Sequence, residues 1–574
     1  MRCRLLAVLL LGLVAGCGRS GREGPHLAVG EQPTLEWAEI GIEDYAPSPL
    51  QRRFDVRRYE LVFTVEPERC AVTAETTIEG LKEPGLERLE LDFYDNLAVR
   101  AVTTGERPLA FERPGRHRLS VMLPDPAATT FRVTVAYAGR PFRVLSDSGW
   151  ECGLRFDVVE GRPVINTCFQ PFFARSLFPG KDHPSDKAEE GVDITVTVPE
   201  PLRVVATGHR VGVKTAGGRR TEHWRTRYAV ATNLVFFAAA EFVELVGEHR
   251  TSNGTPLRLQ HFVRPEHEAR ARAAFAELPR VLQIYEDRFG PYPFPDDKFC
   301  FVETSYRGLE NQTAIAYGTS YPDVPPGRGE YDYVLVHETA HEWAGNAITC
   351  RDWCDIWLHE GIASYAEGLY LEARDGRDAY FALARAWQAE ASSEALTDRD
   401  PNSDEDIFLS PVVYCRAPAV LHMLRFCLGD EAFLAGLKAF LTDPALRYGN
   451  ADTEAFRRHL ERTAGRDLEA FFRAWVHGAG FFEAEYEAVE EGGEIAVAMR
   501  STSGESEPHR LPVVVRLEAG DSRLEQRADV GPEGAVLRFA GPGGPWRVVF
   551  DPESWLLRGT IRQRPGLRAE IGRR

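Results

Sequence analysis

Two histidines and two glutamates near the middle of the chain have the types and spacing of a zinc hydrolase site. His337, Glu338 and His341 form a His-Glu-x-x-His motif, and Glu360 follows it along the chain. On a helix, residues four apart share a face, so both imidazoles can bind one metal ion while Glu338 lies beside the open coordination position. Catalytic zinc sites use three protein ligands and one exchangeable water, whose proton a neighbouring carboxylate removes. The pattern therefore predicts zinc held by His337, His341 and Glu360, with Glu338 as the general base.

Chance and a purely structural metal site are the alternatives to this interpretation. A five-residue motif with three fixed letters occurs by chance in roughly a few per cent of chains of this size. Structural zinc sites favour four Cys or His ligands, which leaves Glu338 without a role. The context favours catalysis, because residues 331–336 run apolar into His337 and residues 355–358 open a second helical segment that carries Glu360.

Three regions of different periodicity must position these residues. From about 50 to 245, short runs rich in β-branched and aromatic residues alternate with Gly, Pro and Asp turns, which predicts an all-β region. After Gly480 the strands return, as in 511–517 and 546–550, and predict a small C-terminal β-sandwich. Between these regions the pattern is helical, and several segments begin near Asp, Ser or Thr. The predicted helices are 266–289, 331–347, 355–374, 377–396, 411–428 and 452–464.

The first residues have the composition of an export signal. A basic start precedes an apolar stretch at 5–16, which is too short to span a bilayer. Residues 13–17, Leu-Val-Ala-Gly-Cys, resemble a bacterial lipobox, which predicts a lipoprotein signal peptide over 1–16 and lipidation of Cys17. An ordinary secretory signal with a nearby cleavage site is the alternative. Residues 17–48 mix Gly, Pro, Ser and charge, and are predicted to tether the lipid to the folded body.

The charge of the chain narrows the class of possible partners. The formal net charge is -18, which excludes a nucleic-acid-binding protein.

The cysteines outside the predicted signal peptide can be oxidised if the chain is exported. Cys152 and Cys168 flank the Glu-Gly pair at 160–161 almost symmetrically, which indicates a hairpin whose strands could place the two thiols opposite each other. A disulfide between them is a hypothesis, and free thiols are the alternative.

Five ordered stretches resemble the aminopeptidase N family of gluzincin metallopeptidases, which also contains leukotriene hydrolase. The stretches, which span two of the predicted domains, are TCFQPFFARSLFPGKD at 167–182, GLEN at 308–311, HETAHEWAGNAIT, WCDIWLHEGIASYAE and VVYCRAPAVLHML at 412–424. Weaker matches extend the resemblance over residues from about 50 to 557. Such a set is much more specific than the metal motif alone.

The resemblance implies a multidomain α+β fold. It predicts an N-terminal all-β, saddle-like sandwich over 49–246 and a thermolysin-like, mainly α zinc catalytic domain over 247–480. A small C-terminal β-sandwich over 481–562 and a basic tail over 563–574 would follow. The chain is interpreted as a bacterial lipoprotein member of the family that lacks the long helical C-terminal domain of many relatives.

The family resemblance also implies an amine-binding site. Glu310 stands where the family's Gly-x-Met-Glu-Asn element has the Glu that binds the substrate's free α-amine. Gly308 and Leu309 would line the substrate backbone as an edge strand. Gln170 is the second candidate for the amine. The family places a further Gln two residues earlier, where this chain has Cys168, so its amine-binding set departs from the family pattern.

The family resemblance implies that other matched residues support the reaction. Tyr414 aligns with the family's catalytic Tyr, whose hydroxyl stabilises the oxyanion. Glu367 can hold one of the metal-binding histidines by an outer hydrogen bond. His359 replaces the family's Asn and is interpreted as a supporting or surface residue rather than a fourth ligand. Three aromatic residues near Gln170 could wall the pocket for the first side chain or belong to the core: Phe169, Phe172 and Phe173.

These observations together predict a zinc-dependent aminopeptidase with one zinc ion per chain. It would hydrolyse the N-terminal bond of peptides that carry a free N-terminus, through zinc-activated water and a Glu general base. It would also be an exported bacterial lipoprotein, anchored in the outer membrane and facing the periplasm or the cell surface, with no nucleic-acid partner. The alternatives are a thermolysin-like zinc endopeptidase and a binding lipoprotein with a degenerate enzyme core. The sequence does not predict an oligomeric state.

Overall fold

A computed structural model describes residues 27–40, 45–318, 321, 329–503, 510–541 and 544–571. The predicted signal peptide, Cys17 and the first part of the predicted tether lie outside the described residues. The described part is a mixed α+β structure in which a mainly helical region follows a large β region, and further sheets end the chain. This order confirms the predicted fold class.

Two large sheets pack face to face in the N-terminal region. Along the strand Phe54–Glu66 buried side chains alternate with more exposed ones over much of its length, as expected for a sheet with one face on the core. The eight-stranded sheet contains, in spatial order, His209–Ala216, Arg219–Arg225, Val192–Pro199, Phe54–Glu66, Ala71–Lys82, Thr130–Gly139, Leu97–Thr104 and Arg107–Pro108. The six-stranded sheet contains Thr34–Glu36, Arg143–Leu145, Glu151–Val159, Arg162–Cys168, Phe237–Ala240 and Arg203–Ala206. Smaller sheets join Arg88–Asp92, Arg118–Met122 and Phe111–Glu112, and Lys187–Ala188 with Val230–Ala231.

The described part of the predicted tether is folded, which corrects that prediction. Thr34–Glu36 pairs in parallel with Arg143–Leu145 and so extends the six-stranded sheet. The ring of Tyr45 stacks on Phe172 with 3.6 Å between centroids, and its backbone N–H donates to Asn402 Oδ1 at 2.8 Å. Because this segment gains strand pairing and buried aromatic contacts, the ordered body begins well before residue 49.

The helical region contains each of the six predicted helical segments. The segment predicted at 266–289 is two helices, and Pro279 lies in the first turn of the second, where its missing N–H costs nothing. The helices are Glu268–Phe275, Leu278–Phe289, Tyr333–His341, Trp357–Asp375, Arg377–Glu390, Asp404–Ile407, Ala417–Leu428, Asp430–Thr442, Thr453–Ala464 and Glu469–Trp475, with a π-helical turn at Pro411–Arg416.

One stretch within the described residues passes a length and composition test for a membrane span. Asp404–Leu428 is long and apolar enough to cross a bilayer. However, 72% of its apolar window is buried inside the protein, as in the core helix of a folded domain. It is therefore weak evidence for a membrane segment.

A mixed five-stranded sheet connects the β region to the helices. Its spatial order is Val243–Arg250, Pro256–Val263, Phe301–Glu303, Ile315–Tyr317 and Gly308–Leu309. The domain boundary predicted between 246 and 247 falls inside the first of these strands. Since that strand pairs along its whole length with Pro256–Val263, the boundary is misplaced by several residues.

Two sheets form the C-terminal region, as the return of strand periodicity predicts. Their inner faces share buried side chains such as Val497 and Val515. Within the predicted basic tail, the structure has a short helix, Leu567–Ile571, with Leu567 fully buried, so part of that tail packs on the domain. One sheet contains Ala535–Ala540, Glu494–Ser501, Phe482–Glu491 and Arg558–Gln563, and the other contains Ser522–Val530, Leu511–Ala519 and Arg547–Phe550.

Candidate active site

The metal motif lies on the helix Tyr333–His341, which we call the motif helix. The side chain of Asp332 caps its start by accepting the backbone N–H of Leu335 at 3.1 Å, an arrangement that stabilises a helix N-terminus. His337 and His341 occur four residues apart on this helix, and both are almost completely buried. The motif helix therefore presents both imidazoles to the same interior point.

Glu360 is supplied by the helix Trp357–Asp375, which we call the ligand helix. It packs against the motif helix and carries Glu360 in its first turn. Gly361 allows the close approach of the helix Ala417–Leu428, because a Cβ at this position would lie 2.6 Å from the Cβ of Ala417. Close packing on two sides thus holds the start of the ligand helix beside the motif helix.

Three candidate ligand atoms converge between these helices. Nε2 of His337 lies 3.0 Å from Nε2 of His341 and 3.2 Å from Oε2 of Glu360. Nε2 of His341 lies 3.4 Å from the same oxygen. A tetrahedral zinc ion with bonds of about 2.0–2.1 Å separates its ligand atoms by about 3.3 Å. The structure therefore brings together the predicted ligands His337, His341 and Glu360 with the spacing that a zinc ion requires.

Outer hydrogen bonds orient both imidazoles toward this point. Nδ1 of His337 lies 2.7 Å from Oε1 of Glu367, whose other oxygen accepts the hydroxyl of Tyr331. Nδ1 of His341 donates to the carbonyl oxygen of Ala344 at 3.0 Å. Because carboxylate and carbonyl oxygens accept hydrogen bonds, each neutral ring carries its hydrogen on Nδ1 and presents the Nε2 lone pair to a metal. The predicted outer hydrogen bond of Glu367 is therefore formed, and its partner is His337.

The charge around the ligand atoms favours a bound cation. Burial alone would lower the pKa of His341, but the negative charges of Glu310 and Glu360 raise it to about 9. The same carboxylates that stabilise a proton on this imidazole would stabilise a metal ion in its place. The electrostatics thus agree with the geometry of the three ligands.

Glu338 lies on the motif helix with one oxygen free for chemistry. Its Oε2 is buried and has no hydrogen-bond partner within the described residues. Burial raises the pKa of Glu338 to about 8, although the neighbouring histidines oppose the shift. Gly308 makes room for the other oxygen, since a Cβ at that position would lie 2.6 Å from Oε1 of Glu338. A carboxylate in this environment is suited to accept a proton.

Glu310 and Gln170 meet beside the metal site although 140 residues separate them. The amide nitrogen of Gln170 donates to Oε1 of Glu310 through a short hydrogen bond. Ligand oxygens of Glu310 and Glu338 and a ring nitrogen of His341 lie within 4.8 Å of one another. Burial raises the pKa of Glu310, while the charge of His341 and the Gln170 hydrogen bond lower it in part. The arrangement places one buried carboxylate where a substrate group next to the metal would lie.

The strand Gly308–Leu309 is the last strand of the five-stranded sheet. It pairs antiparallel with Ile315–Tyr317 on one side, through Gly308 with Tyr317 and Leu309 with Ala316. Its other edge is unpaired within the described residues, and a strand edge of this kind can bind an extended peptide through backbone hydrogen bonds. The position of this edge next to Glu338 agrees with the backbone-binding role implied for Gly308 and Leu309.

Tyr414 lies in the π-helical turn Pro411–Arg416. Its ring is 6.0 Å from that of His337 between centroids, and burial raises the pKa of its hydroxyl well above the usual value, with a further contribution from the charge of Glu360. The hydroxyl therefore stays protonated and can donate a hydrogen bond. Short π-helical turns frequently occur at functional sites, where they redirect one side chain from the helix face.

Replacing Tyr414 by phenylalanine is expected to lower kcat by about 10²- to 10³-fold, because it would remove the hydroxyl that the family resemblance implies as a donor to the oxyanion. Bound zinc and the melting temperature should stay close to those of the wild-type protein. Steady-state kinetics on an aminoacyl reporter, with metal analysis of the same sample, checks the expectation. Tyr486→Phe in the C-terminal sheet is the matched control, and equal kcat values for the two variants would contradict the role of Tyr414.

Two other expectations from the sequence left alternatives open. Phe169, Phe172 and Phe173 are at most 1% exposed and pack in the hydrophobic core, which is one of the two alternatives for them. Cys152 and Cys168 are free thiols whose Sγ atoms are 3.8 Å apart, beyond the bond length of about 2.05 Å. The hairpin forms as predicted, but Cys168 pairs with Gly153 rather than with Cys152, so the two cysteines are one residue out of register.

Tyr333 is a neighbour of the metal site that the sequence interpretation missed. Its ring stacks on His337 at 5.1 Å between centroids with a 30° interplanar angle. Tyr333 precedes His337 by four residues, so the helical spacing that paired the two histidines also places this ring on the same face. This four-residue spacing is visible in the sequence, but the sequence interpretation treated Tyr333 only as part of the apolar run before His337.

The β region, the motif helix and the ligand helix form the arrangement that the family resemblance predicts. Residues 273–475 match the model of the Peptidase family M1 domain. The chain therefore carries a peptidase family M1 domain, which confirms the resemblance seen in its sequence.

Similar proteins and solved structures agree with this assignment. Aminopeptidase N from Lactococcus lactis subsp. lactis is 25% identical over 473 residues, which cover 78% of this chain and 53% of the relative. Aminopeptidase N from Caulobacter vibrioides is 27% identical and covers 77% of this chain and 51% of the relative. The crystal structure of an M1 zinc metallopeptidase from Deinococcus radiodurans aligns with a TM-score of 0.65 and 25% identity, over 74% of this chain and 94% of that one. A mutant of the Deinococcus enzyme bound to a Tyr-Ser-Ala substrate aligns with a TM-score of 0.64 and 26% identity, over 75% and 95% of the two chains. This chain spans about half the length of the curated relatives.

Proposed function

We propose that this protein is a zinc-dependent aminopeptidase that hydrolyses the N-terminal bond of peptides. The position of Glu310 carries the proposal, because its buried carboxylate lies within 4.8 Å of ligand atoms of Glu338 and His341. A carboxylate there can bind the free ammonium group of a peptide and leave only the first peptide bond beside the metal. The curated relatives bear the name Aminopeptidase N, and one similar structure holds a tripeptide substrate, which supports the same activity here.

The proposed chemistry follows from the groups that face the scissile bond. His337, His341 and Glu360 would hold a zinc ion, which when bound would lower the pKa of a water and polarise the substrate carbonyl. Glu338 would accept a proton from the attacking water and later deliver it to the leaving amine. Tyr414 donates its hydroxyl to the developing oxyanion.

Substrate binding in this proposal uses Glu310, Gln170 and the strand edge beside Glu338. Glu310 accepts hydrogen bonds from the ammonium group, and the carbonyl oxygen of the Gln170 side chain can accept one more. The strand edge Gly308–Leu309 pairs with the peptide backbone and holds it extended. Because Gln170 is neutral, Glu310 carries the charge recognition alone, and its loss should affect substrates with a free amine most.

Paired peptides with free and acetylated N-termini test the proposed activity. The zinc-loaded protein should release single residues in order from the free peptide, detected by mass spectrometry, and leave the acetylated peptide intact. Internal cleavage of both peptides would instead identify a thermolysin-like endopeptidase. A zinc-loaded protein that cleaves neither peptide and no aminoacyl reporter would identify a binding protein with an inactive core.

We also propose that the protein is exported and held in a membrane by a lipid on Cys17. The lipobox-like sequence at 13–17 and the preceding apolar stretch support this location. Expressed in a bacterial host with labelled palmitate, the wild-type chain should incorporate label and Cys17→Ser should not. Cys3→Ser is the matched control and should still be labelled, whereas equal labelling of Cys17→Ser and the wild-type chain would contradict the proposal.

A further inference from the structure

His359 is a buried imidazole next to the candidate metal site whose hydrogen position is fixed by its surroundings. It lies on the ligand helix directly before Glu360 and is 1% exposed. The backbone N–H of Cys350 donates to its Nε2 at 2.6 Å. A nitrogen that accepts a hydrogen bond carries no hydrogen, so the ring is neutral and its single N–H is on Nδ1.

Nδ1 of His359 lies near the carboxylate of Glu310. Nδ1 is buried without a hydrogen-bond partner within the described residues, and a buried donor left unpaired is costly. Nδ1 lies 4.0 Å from Oε1 of Glu310, the oxygen that also accepts the amide of Gln170. Two donors from distant parts of the chain therefore lie near the same oxygen of one carboxylate.

We propose that His359 is a positioning residue for substrate specificity, which donates its Nδ1–H to Glu310 and holds that carboxylate to receive the substrate's ammonium group. This inference rests on the proposed aminopeptidase function and deepens it. The present separation is longer than a hydrogen bond, and such contacts often shorten when a substrate binds. With Oε1 held by His359 and Gln170, the second oxygen of Glu310 is left for the ammonium group.

The neutral state of His359 matters for this role. A protonated imidazole beside Glu310 would repel the ammonium group and compete for the same carboxylate. The hydrogen bond from Cys350 prevents this, because a hydrogen on Nε2 would point directly at the backbone N–H. His359 can therefore strengthen the orientation of Glu310 without reducing its attraction for a cation.

The competing explanation is that His359 acts only through Cys350. In that case its ring would hold the backbone that follows the motif helix, and the direction of Nδ1 would have no effect on substrates. The two roles use different nitrogens, so substitutions can separate them. Asparagine can place an amide donor near the Nδ1 position, whereas glutamine can place a carbonyl oxygen near the Nε2 position.

Kinetics of His359→Asn and His359→Gln on a free-amine aminoacyl reporter test the proposal, with zinc content and melting temperature measured on the same samples. His359→Gln should keep zinc, kcat and the melting temperature near wild-type values but raise KM by about tenfold or more, the effect of losing one hydrogen bond to a charged group. His359→Asn should keep KM within a few-fold of wild type and melt at a lower temperature, because the Cys350 N–H loses its acceptor. A KM that stays near the wild-type value in His359→Gln but rises about tenfold in His359→Asn would overturn the proposal.

A double-variant cycle tests whether His359 acts through Glu310. In a Glu310→Gln background, His359→Gln should change KM by less than about twofold, because the interaction it removes is already lost. A further tenfold rise in that background would also overturn the proposal. The result is separate from the proposed function, since failure of the wild-type protein to prefer free over acetylated substrates would reject the aminopeptidase itself.

Discussion

The Glu338→Gln protein is expected to bind zinc normally and to lose activity by about 10³-fold or more. Glutamine keeps the shape of the side chain but cannot take a proton from the attacking water. The structure gives Glu338 this role, because one of its oxygens is buried beside the ligand atoms and has no partner within the described residues. Metal analysis and kcat on an aminoacyl reporter, measured on one preparation, check both parts of the prediction.

A matched control separates the loss of a base from the loss of a charge. Glu390→Gln makes the same change at an exposed position near the end of the helix Arg377–Glu390 and should leave kcat unchanged. If the zinc-loaded Glu338→Gln protein turned over within tenfold of the wild-type rate, Glu338 would not be the general base.

The second large effect is expected from Glu310→Gln, which should lower kcat/KM for free-amine substrates by about 10²- to 10³-fold. The substitution removes the only charged partner proposed for the ammonium group and leaves that group buried against a neutral amide. Zinc content at saturating zinc should not change, since Glu310 is not one of the three predicted ligands. Rates on free and acetylated forms of the same reporter, measured for the wild-type and Glu310→Gln proteins, give the preference for a free amine directly.

The acetylated reporter provides the internal control for Glu310. Its slow hydrolysis should change little in Glu310→Gln, so that the preference for a free amine collapses in the variant. An equal loss on both reporters would mean that Glu310 supports the site as a whole and does not recognise the amine.

The metal site is predictable from sequence because its information is local. His337 and His341 are paired by the helical repeat, and Glu360 lies in the next strongly helical segment. The structure adds the distances, the hydrogen bond from Glu367 and the stacked ring of Tyr333. Only Tyr333 had a local signal that the sequence interpretation left unused.

The amine site needed more than local patterns. Glu310 and Gln170 are 140 residues apart, and no periodicity links a loop of the β region to an edge strand of the catalytic sheet. Family resemblance proposed both residues, and the fold brings them into contact. The same resemblance interpreted His359 only as a supporting or surface residue, because the direction of a buried ring depends on backbone groups such as the Cys350 N–H.

The wrong predictions share a physical cause, which is packing between distant segments. The tether appeared unstructured because its short strand and its aromatic residues gain order only on the partners Arg143–Leu145 and Phe172. The offset of Cys152 from Cys168 depends on strand register, which sequence symmetry around a turn does not determine.

Zinc titration of the metal-free protein tests the central claim most directly. The protein is stripped with a chelator, zinc is added in steps, and bound metal and hydrolysis of a free-amine reporter are followed together. Activity should rise in proportion to zinc and reach its maximum at one ion per chain, while the acetylated reporter stays almost unhydrolysed throughout. Full activity without zinc, or a zinc-saturated protein that does not distinguish the two reporters, would contradict a zinc aminopeptidase built from His337, His341, Glu360 and Glu310.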